Sequence, residues 1–407
     1  MRPTKEIFLL LSFFVTANIL SAQYSWNQQV SGTTNNLYSV FFTRSSFDAA
    51  QDGFAVGTAG TIRTTSDFGA TWTGQLSGTT ETLYEVFFAN DSAGWISGAN
   101  GTILHTTNTG STWIPQISGT TQVLSCIYFN SATNGFACGD DGTILATVNG
   151  GITWMSQTSN VTTALRAVRM VDNSTAYIVG DSGVILKTTN SGMTWNVQNS
   201  NISSALYSIT IEPCFNNRAI ASGDGGVIIQ TTNGGATWSP ETSGTGNSLH
   251  WIIAYNSLCY GFAVGENGTI LASTDHGATW NVNTTPTTNA LHSVIMTVPL
   301  DLFGWAVGDG GVILSLQWSL GIHEEERNAF TVSPNPSNGK FSIESVDAAF
   351  EDVHVELFDM LGNKIINVPL TAVRTDVDLS GNAQGVYFYR IMSEGKISSS
   401  GKVVISE

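Results

Sequence analysis

The sequence predicts an all-β protein, a seven-bladed β-propeller closed by an N-terminal strand and followed by a small Ig-like β-sandwich. A unit that opens on Gly-x-x-Gly-[Thr/Val]-Ile recurs along the chain at intervals of 41 to 43 residues. A near-fixed period of this length is typical of supersecondary units that stack or form a ring. The opening glycines are Gly57, Gly98, Gly139, Gly180, Gly223, Gly265 and Gly308.

Each period contains four short strand-like segments. In the second period, 83–88 and 94–98 are rich in aromatic and β-branched residues and are bounded by Asn, Ser or Gly, which favours strands. The two residues Ala99 and Asn100 between glycines then predict a primed-turn hairpin. Four antiparallel strands in a period this long make one propeller blade and leave no room for a helix.

A closing motif, [Ser/Thr]-x-[Asp/Asn]-x-Gly-x-Thr-Trp, ends six of the periods. Its Asp or Asn can accept hydrogen bonds from backbone N–H groups of its own turn, and its Gly permits a positive φ. The motif resembles the Asp-box of sialidase and sortilin propellers, which implies a structural, peripheral role, so we assign no catalytic residue. Its six copies end at Trp72, Trp113, Trp154, Trp195, Trp238 and Trp280.

The seventh period lacks this closing motif. Trp318 follows Gly311 by seven residues, whereas the other units place Trp twelve residues after the equivalent glycine. The run 26–34 matches 72–80 in spacing and residue type. We therefore expect the strand around Trp26 to pair with 312–316 and complete the last blade, which removes two open sheet edges.

The two ends of the chain predict export. Residues 1–22 combine Arg2 and Lys5 with an apolar run and a small-residue end, as in a secretory signal peptide. No other stretch is long and apolar enough to cross a bilayer. We expect the propeller over 23–320, a charged linker over 321–329 and a second domain over 330–407.

The last domain resembles the type A C-terminal sorting domain of the Bacteroidota type IX secretion system. The matching motifs are Ser-Pro-Asn-Pro at 333–336, Gly-Lys-Phe at 339–341, the hairpin 357–364 and Gly-Val-Tyr at 385–387. The resemblance implies passage through the periplasm and the outer membrane, with 330–407 engaging the secretion machinery, followed by surface display or release. An ordinary Ig-like domain would share the strands but not the Pro-Asn-Pro and Gly-Val-Tyr pair.

The repeats also resemble the propeller of photosystem II stability and assembly factors. The likeness lies in Gly-Phe-Ala-Val-Gly at 53–57 and 261–265, in Gly-Thr-Ile-Leu and in Asn-Gly-Gly-x-Thr-Trp. This resemblance implies the propeller fold. It does not imply a photosynthetic partner, because the C-terminal domain resembles a sorting domain of type IX secretion.

Charge and cysteine content limit the function classes. A net charge of −16 excludes a nucleic-acid-binding role, which needs basic clusters. Cys126 and Cys138 lie near-symmetrically about one hairpin and would form either a disulfide or two buried small side chains. Cysteine spacings match no metal cluster, and we expect neither a metal nor a cofactor.

Two equivalent sets of residues are expected at one end of the propeller channel. The loops between second and third strands carry Thr58, Ala99, Asp140, Asp181, Asp224, Glu266 and Asp309. The first strands carry Tyr38, Tyr84, Ser125, Arg166, Tyr207, His250 and His292. The carboxylates would attract a cation or a basic partner, or they are simply what tight turns favour. The aromatic and polar set suits a sugar or a peptide.

These patterns predict a secreted or surface binding or scaffolding module with a protein or glycan ligand. The alternative is a polysaccharide-active glycosidase or lyase that uses two of the carboxylates. No Ser-His-Asp signature, phosphate loop or zinc spacing is present in the sequence.

Overall fold

The computed structural model describes residues 23–43, 52–212, 217–254, 260–297, 303–319, 330–345, 353–359, 363–393 and 396–406. Two compact units are present, one spanning Tyr24–Trp318 and one that includes Ser319–Glu407. The predicted signal peptide 1–22 and linker 321–329 lie outside the described residues.

Seven four-stranded antiparallel sheets form the first unit, as predicted. They are numbered here as blades 1 to 7. Blade 1 contains β2 Leu37–Phe42, β3 Gly53–Gly57, β4 Ile62–Thr65 and β5 Thr73–Gln75; blade 2 contains β6 Leu83–Phe88, β7 Gly94–Gly98, β8 Ile103–Thr106 and β9 Ile114–Gln116. Blade 3 contains β10 Leu124–Phe129, β11 Gly135–Gly139, β12 Ile144–Thr147 and β13 Met155–Gln157; blade 4 contains β14 Leu165–Met170, β15 Ala176–Gly180, β16 Ile185–Thr188 and β17 Asn196–Gln198.

The remaining blades follow the same order. Blade 5 contains β18 Leu206–Ile211, β19 Ala219–Gly223, β20 Ile228–Thr231 and β21 Ser239–Glu241; blade 6 contains β22 Leu249–Ala254, β23 Gly261–Gly265, β24 Ile270–Ser273 and β25 Asn281–Asn283. Blade 7 contains β26 Leu291–Thr297, β27 Phe303–Gly308, β28 Ile313–Ser319 and the N-terminal strand β1 Gln23–Gln29. Short 3-10 turns join second and third strands at Thr58–Gly60, Asp140–Gly142, Asp181–Gly183, Asp224–Gly226, Glu266–Gly268 and Asp309–Gly311.

The N-terminal strand closes the ring as predicted. It lies beside β28 as the outer strand of blade 7, and the Gln29 amide donates to Ser315 Oγ at 2.8 Å. Trp26 is buried and packs edge-on against Phe262 of blade 6, with ring centroids 6.2 Å apart. Closure therefore joins the first and last parts of the propeller sequence in one sheet.

The closing motifs form hydrogen-bonded turns that pack between blades. In blade 1, the Thr71 backbone N–H donates to Asp67 Oδ1 at 2.9 Å, and the Gly69 N–H donates to Thr65 Oγ1 at 2.9 Å. Hydrogen bonds from the hydroxyl and N–H of Thr71 and from the Thr65 hydroxyl lower the pKa of Asp67 to about 2. In blade 2, Trp113 of the motif packs edge-on against Phe54 of blade 1. The motif is thus structural in the way that the Asp-box resemblance implies.

The primed turn between second and third strands lies one residue later than predicted. In blade 2 the Thr102 N–H donates to Ala99 O at 3.0 Å, and the two central residues, Asn100 (φ 53°) and Gly101 (φ 67°), both have positive φ. This is the backbone of a type I′ turn. The expected pair, Ala99 and Asn100, was therefore wrong by one position. A Cβ on Gly101 would stand 1.9 Å from Thr120 O, so glycine is required there.

The innermost strands are joined by a repeated side-chain hydrogen bond. A bulge follows the first residue of each of these strands, and the third side chain then faces the next blade. Ser39 Oγ accepts from the Val86 N–H at 3.2 Å, and Ser293 Oγ accepts from the Val40 N–H at 3.4 Å. These bonds connect blade 1 to blade 2 and blade 7 to blade 1, and equivalent side-chain bonds join blades 2 and 3, 3 and 4, and 5 and 6.

The second unit is a sandwich of two sheets. One sheet contains β29 Phe330–Ser333, β30 Lys340–Ser345 and β33 Arg374–Asp378; the other contains β31 Val353–Phe358, β32 Lys364–Pro369, β34 Gly385–Ser393 and β35 Lys396–Ile405. Phe341 and Val377 of the first sheet and Val355 and Ile391 of the second share one core. Its Ig-like character stays a prediction. In the described parts of the chain, no helix has the length and hydrophobicity of a membrane span.

Candidate ligand-binding site

The first strand of each blade presents two of its residues to the channel. In β2 and β6 the second and fifth residues are partly exposed and the others are buried. The second residues, called the upper ring, are Tyr38, Tyr84, Ser125, Arg166, Tyr207, His250 and His292. The fifth residues, called the lower ring, are Phe41, Phe87, Tyr128, Arg169, Thr210, Ile253 and Ile295. All are partly exposed.

Five of the upper-ring side chains form a continuous series of ring contacts across blades 5, 6, 7, 1 and 2. Tyr84 and Tyr38 have centroids 5.3 Å apart, and Tyr38 and His292 lie 4.9 Å apart. His292 stacks on His250 at 5.0 Å with an interplanar angle of 14°, and His250 meets Tyr207 edge-on at 5.7 Å. The structure therefore brings these predicted residues together at one end of the channel.

The turn carboxylates lie beside the upper ring because the turn backbone is bonded there. The Asp140 N–H donates to Val123 O, the residue before β10, at 3.0 Å. Arg166 then makes a two-pronged contact with Asp181, with Nε–Oδ1 at 2.9 Å and Nη2–Oδ2 at 2.7 Å, and its Nη1 lies 3.9 Å from Asp140. The Asp181 hydrogen bond raises the pKa of Arg166. In blades 3 and 4, one internal cation thus offsets part of the negative charge.

The carboxylates of blades 5 to 7 have different partners. Asp224 accepts from the Ser248 hydroxyl at 2.8 Å, and Glu266 accepts from the Ser248 N–H at 3.4 Å. Asp309 Oδ1 lies 2.8 Å from His292 Nε2. No Lys or Arg in the described ranges forms an ion pair with Asp224 or Glu266, and both are exposed. Their charge faces solvent.

His250 has a defined proton position. Its Nδ1 lies 3.1 Å from Leu291 O, so this nitrogen carries the proton and Nε2 is the acceptor. Burial and the adjacent His292 lower the pKa of His250, which keeps its ring neutral near pH 7. No group of three or more His, Cys, Asp or Glu within the described ranges could hold a metal ion.

The channel is filled below the upper ring by an ion pair that the sequence analysis missed. Arg169 Nη2 contacts Glu85 Oε1 of blade 2 at 3.1 Å, and the exposed fractions of the two side chains are 14% and 3%. The guanidinium also lies 5.1 Å from the ring centroids of Tyr128 in blade 3 and Trp251 in blade 6. Burial lowers the pKa of Arg169, but Glu85, Cys126 and Tyr128 together raise it by more, so the pKa lies above its usual value. Side chains from four blades thus meet across the channel at this level, and the space that the upper ring surrounds above them is called the well.

A signal for this pair is present in the repeats. Glu85 occupies the position where blades 1, 5 and 7 carry Ser39, Ser208 and Ser293, and it still accepts the next blade's N–H, from Ile127 at 3.0 Å. A buried acid at an otherwise small position demands a cation. Comparison of the repeats position by position could therefore have found Glu85.

Cys126 and Cys138 face each other across one hairpin and are not joined by a disulfide. Cys126 and Cys138 are directly opposite on β10 and β11, and both are buried free thiols. Cys126 Sγ accepts from the Val168 N–H at 3.2 Å, the role that serine has in other blades, and burial raises the pKa of its thiol. The structure therefore has two free thiols at these positions, and the disulfide stays a prediction. Cys214 and Cys259 lie outside the described residues.

Two protein families match separate parts of the chain. Residues 19–118 and 116–252 match the family of the photosynthesis system II assembly factor YCF48. Residues 331–406 match the secretion system C-terminal sorting domain. No curated protein matches the sequence.

Three solved structures share the propeller fold. YCF48 from Cyanidioschyzon merolae is 18% identical with a TM-score of 0.60, covering 72% of this chain and 99% of its own. YCF48 bound to D1 peptide is 20% identical with a TM-score of 0.59, covering 72% and 96%. The WD40 β-propeller domain of Doa1 is 13% identical with a TM-score of 0.58, covering 75% and 98%. At these identities the likeness shows the fold alone.

Proposed function

Because this chain belongs to the family of the photosynthesis system II assembly factor YCF48, we propose that its propeller is a binding module that holds a segment of a partner polypeptide at the upper ring. The sorting domain at 331–406 directs the protein through type IX secretion to the cell surface or the extracellular space. Our proposal for the route is removal of 1–22, passage through the periplasm and recognition of 330–407 by the secretion machinery.

The observation that carries the proposal is the series of four ring contacts that joins five upper-ring side chains above the Arg169 cluster. Partly exposed aromatic side chains offer apolar area with polar tips and lose little conformational entropy on binding, which suits recognition surfaces. Because Arg169 and its partners fill the channel below, a ligand would lie across the well and would not pass through it. A solved relative, YCF48 bound to D1 peptide, gives a peptide as the ligand class for a propeller of this fold.

The carboxylate geometry favours binding over glycoside hydrolysis. A glycosidase needs an acid and a base about 5 to 10 Å apart around a gap for the sugar and water. Asp140 and Asp181 are instead directed at one guanidinium, that of Arg166. Both oxygens of Asp181 therefore contact a cation within the protein, whereas a glycosidase directs both of its carboxylates at the substrate.

The test uses the full mature chain, a displayed library of random peptides and a glycan array. The affinity of each binding peptide is measured by calorimetry for the unsubstituted chain, for Tyr38→Ala and His250→Ala, and for the control Phe68→Ala. Phe68 is an exposed aromatic residue in a closing motif of blade 1. We expect each upper-ring variant to weaken binding by about tenfold, because a lost aromatic contact costs about 1.5 kcal/mol. Equal effects of all three variants, or product release from a glycan, would contradict the proposal.

A further inference from the structure

The face of the propeller that carries the upper ring differs between its two halves. The turns after the second strands and the connections between blades both lie on this face, since the Gly101 N–H of a turn donates to Gln122 O of a connection at 2.8 Å. In blades 3 to 7 the first turn residue is acidic, whereas blades 1 and 2 carry Thr58 and Ala99. The turn backbone therefore accepts either an acidic or an uncharged residue at its first position, so the turn does not require the acidic residues.

An apolar set lies on the other half, directly after the fourth strands. Val30, Leu76 and Ile117 of blades 7, 1 and 2 are 87%, 93% and 89% exposed. The four remaining blades have polar residues at this position, Thr158, Asn199, Thr242 and Thr284. Single exposed apolar residues are ordinary, but equivalent ones on three neighbouring blades give this side of the face an apolar character that a partner can cover.

The apolar and acidic halves are joined by the upper ring. Tyr38 and Tyr84 belong to the blades with Leu76 and Ile117, while Tyr207 and His250 belong to the blades with Asp224 and Glu266. Strands in a sheet are about 4.8 Å apart, so the end of a fourth strand lies roughly 14 Å outward from the upper ring. An extended segment of about ten residues reaches about 33 Å and can contact both halves.

We propose that the ligand is a peptide segment with basic residues at one end and apolar residues at the other. Its basic end lies over Asp224 and Glu266, whose charge faces solvent, and its apolar end covers Leu76, Ile117 and Val30. This assignment rests on the proposed function and adds the ligand's chemistry and direction. An acidic segment would be repelled by blades 3 to 7, and a glycan would leave the apolar set uncovered.

The test measures labelled synthetic peptides with a Gly-Ser centre by fluorescence anisotropy on the full mature chain. One peptide has a lysine cluster at one end and a leucine cluster at the other. In the second, serines replace the leucines, and in the third, glutamates replace the lysines. The variants are Leu76→Ser with Ile117→Ser, Asp224→Asn with Glu266→Gln, and the matched control Asn199→Ser at the equivalent position of blade 4. Thermal melts confirm that each variant is folded.

We expect the lysine–leucine peptide to bind about tenfold or more tightly than either of the others, since it alone can bury leucines over the apolar set and place lysines over Asp224 and Glu266. Leu76→Ser with Ile117→Ser should abolish the higher affinity of the lysine–leucine peptide relative to the lysine–serine peptide. The affinity of the lysine–serine peptide itself should stay unchanged. Asp224→Asn with Glu266→Gln should weaken both lysine peptides and reduce their salt dependence. Asn199→Ser should alter none of the affinities.

Three results would overturn the assignment: no binding by any of these peptides, equal binding of the lysine–leucine and lysine–serine peptides, or no effect of Leu76→Ser with Ile117→Ser. The proposed function is judged separately. It is supported if Tyr38→Ala weakens the binding of a peptide selected from the random library. If Tyr38→Ala changes the affinity of no ligand, both the proposed function and the assignment are refuted.

Discussion

Replacing Arg169 with methionine should destabilise the propeller by about 3 to 5 kcal/mol, because it leaves a buried carboxylate without its cation. Glu85 is 3% exposed and contacts Arg169 at 3.1 Å. After the substitution, the Ile127 N–H still donates to Glu85 Oε2, but one neutral donor does not balance a buried charge. Methionine fills much of the arginine volume, so the loss reports on charge more than on a cavity.

The repeats suggest the change that should restore stability. Ser39 and Ser293 occupy the position of Glu85 in other blades and accept the same backbone N–H. Glu85→Ser in the Arg169→Met background removes the buried charge and keeps an acceptor for Ile127. The double variant should therefore be more stable than Arg169→Met alone by about 2 kcal/mol or more, a coupling in the range measured for residues in contact.

Urea denaturation of the mature chain, followed by tryptophan fluorescence, measures these differences. Arg166→Met is the matched control, since Arg166 and Asp181 also form an ion pair but are 35% and 33% exposed. Exposed pairs contribute about 0.2 to 1 kcal/mol, so this variant should lose much less. The reasoning fails if Arg169→Met costs no more than the control, or if adding Glu85→Ser lowers stability further.

Other predictions concern closure, the closing motifs and pH. Trp26→Ala should lower the free energy of unfolding by about 3 to 5 kcal/mol, since its ring is buried against Phe262. Urea denaturation measures this loss beside that of the control Val30→Ala, which changes an exposed residue. Equal losses for the two variants would contradict the prediction. Asp67→Asn should leave the melting temperature at pH 7 nearly unchanged, because Asn108 of blade 2 accepts from the equivalent backbone N–H and donates to the threonine hydroxyl from which Asp67 accepts. Asp67→Ala removes both bonds and should lower the melting temperature in calorimetry. Because the pKa of His250 is lowered in the folded state, its contribution to stability is complete above about pH 6.5, the unfolded value, and is lost as pH falls through the folded value. Over this pH window the melting temperature should fall less steeply for His250→Gln than for the unsubstituted chain. Parallel curves for the two proteins would refute the assignment.

The fold could be predicted because its determinants are local and repeated. Each closing motif places an oxygen, a glycine and a Trp at fixed offsets, so one copy specifies its own turn. The missing seventh motif and the extra copy at Trp26 then required ring closure, which the pairing of β1 with β28 confirms. The position of the primed turn was off by one residue, because either of two adjacent pairs in Gly98–Gly101 has suitable turn chemistry.

The contacts within the channel could not be predicted in the same way. Glu85 and Arg169 are 84 residues apart and belong to blades that are not neighbours, so no local pattern links them. The upper-ring positions follow from the strand period, but their partners depend on side-chain directions across the channel. Thus the sequence located Arg166 and Asp181 separately, and only the structure showed that Arg166 binds this carboxylate and offsets part of the negative charge of the turn carboxylates.

The repeats provide a reference for separating fold from function within one chain. Positions that are alike in the six blades with a closing motif, such as its Gly, Thr and Trp, lie at the outer turns and satisfy requirements that these blades share. Positions that differ lie along the channel and on the face around the upper ring. Glu85 and Trp251 are the two largest departures at the third position of the first strand, and both contact Arg169, so these substitutions compensate one another. Asp224 and Glu266 form no ion pair within the described ranges, and Leu76 is 93% exposed, so the ligand should be sought on that face.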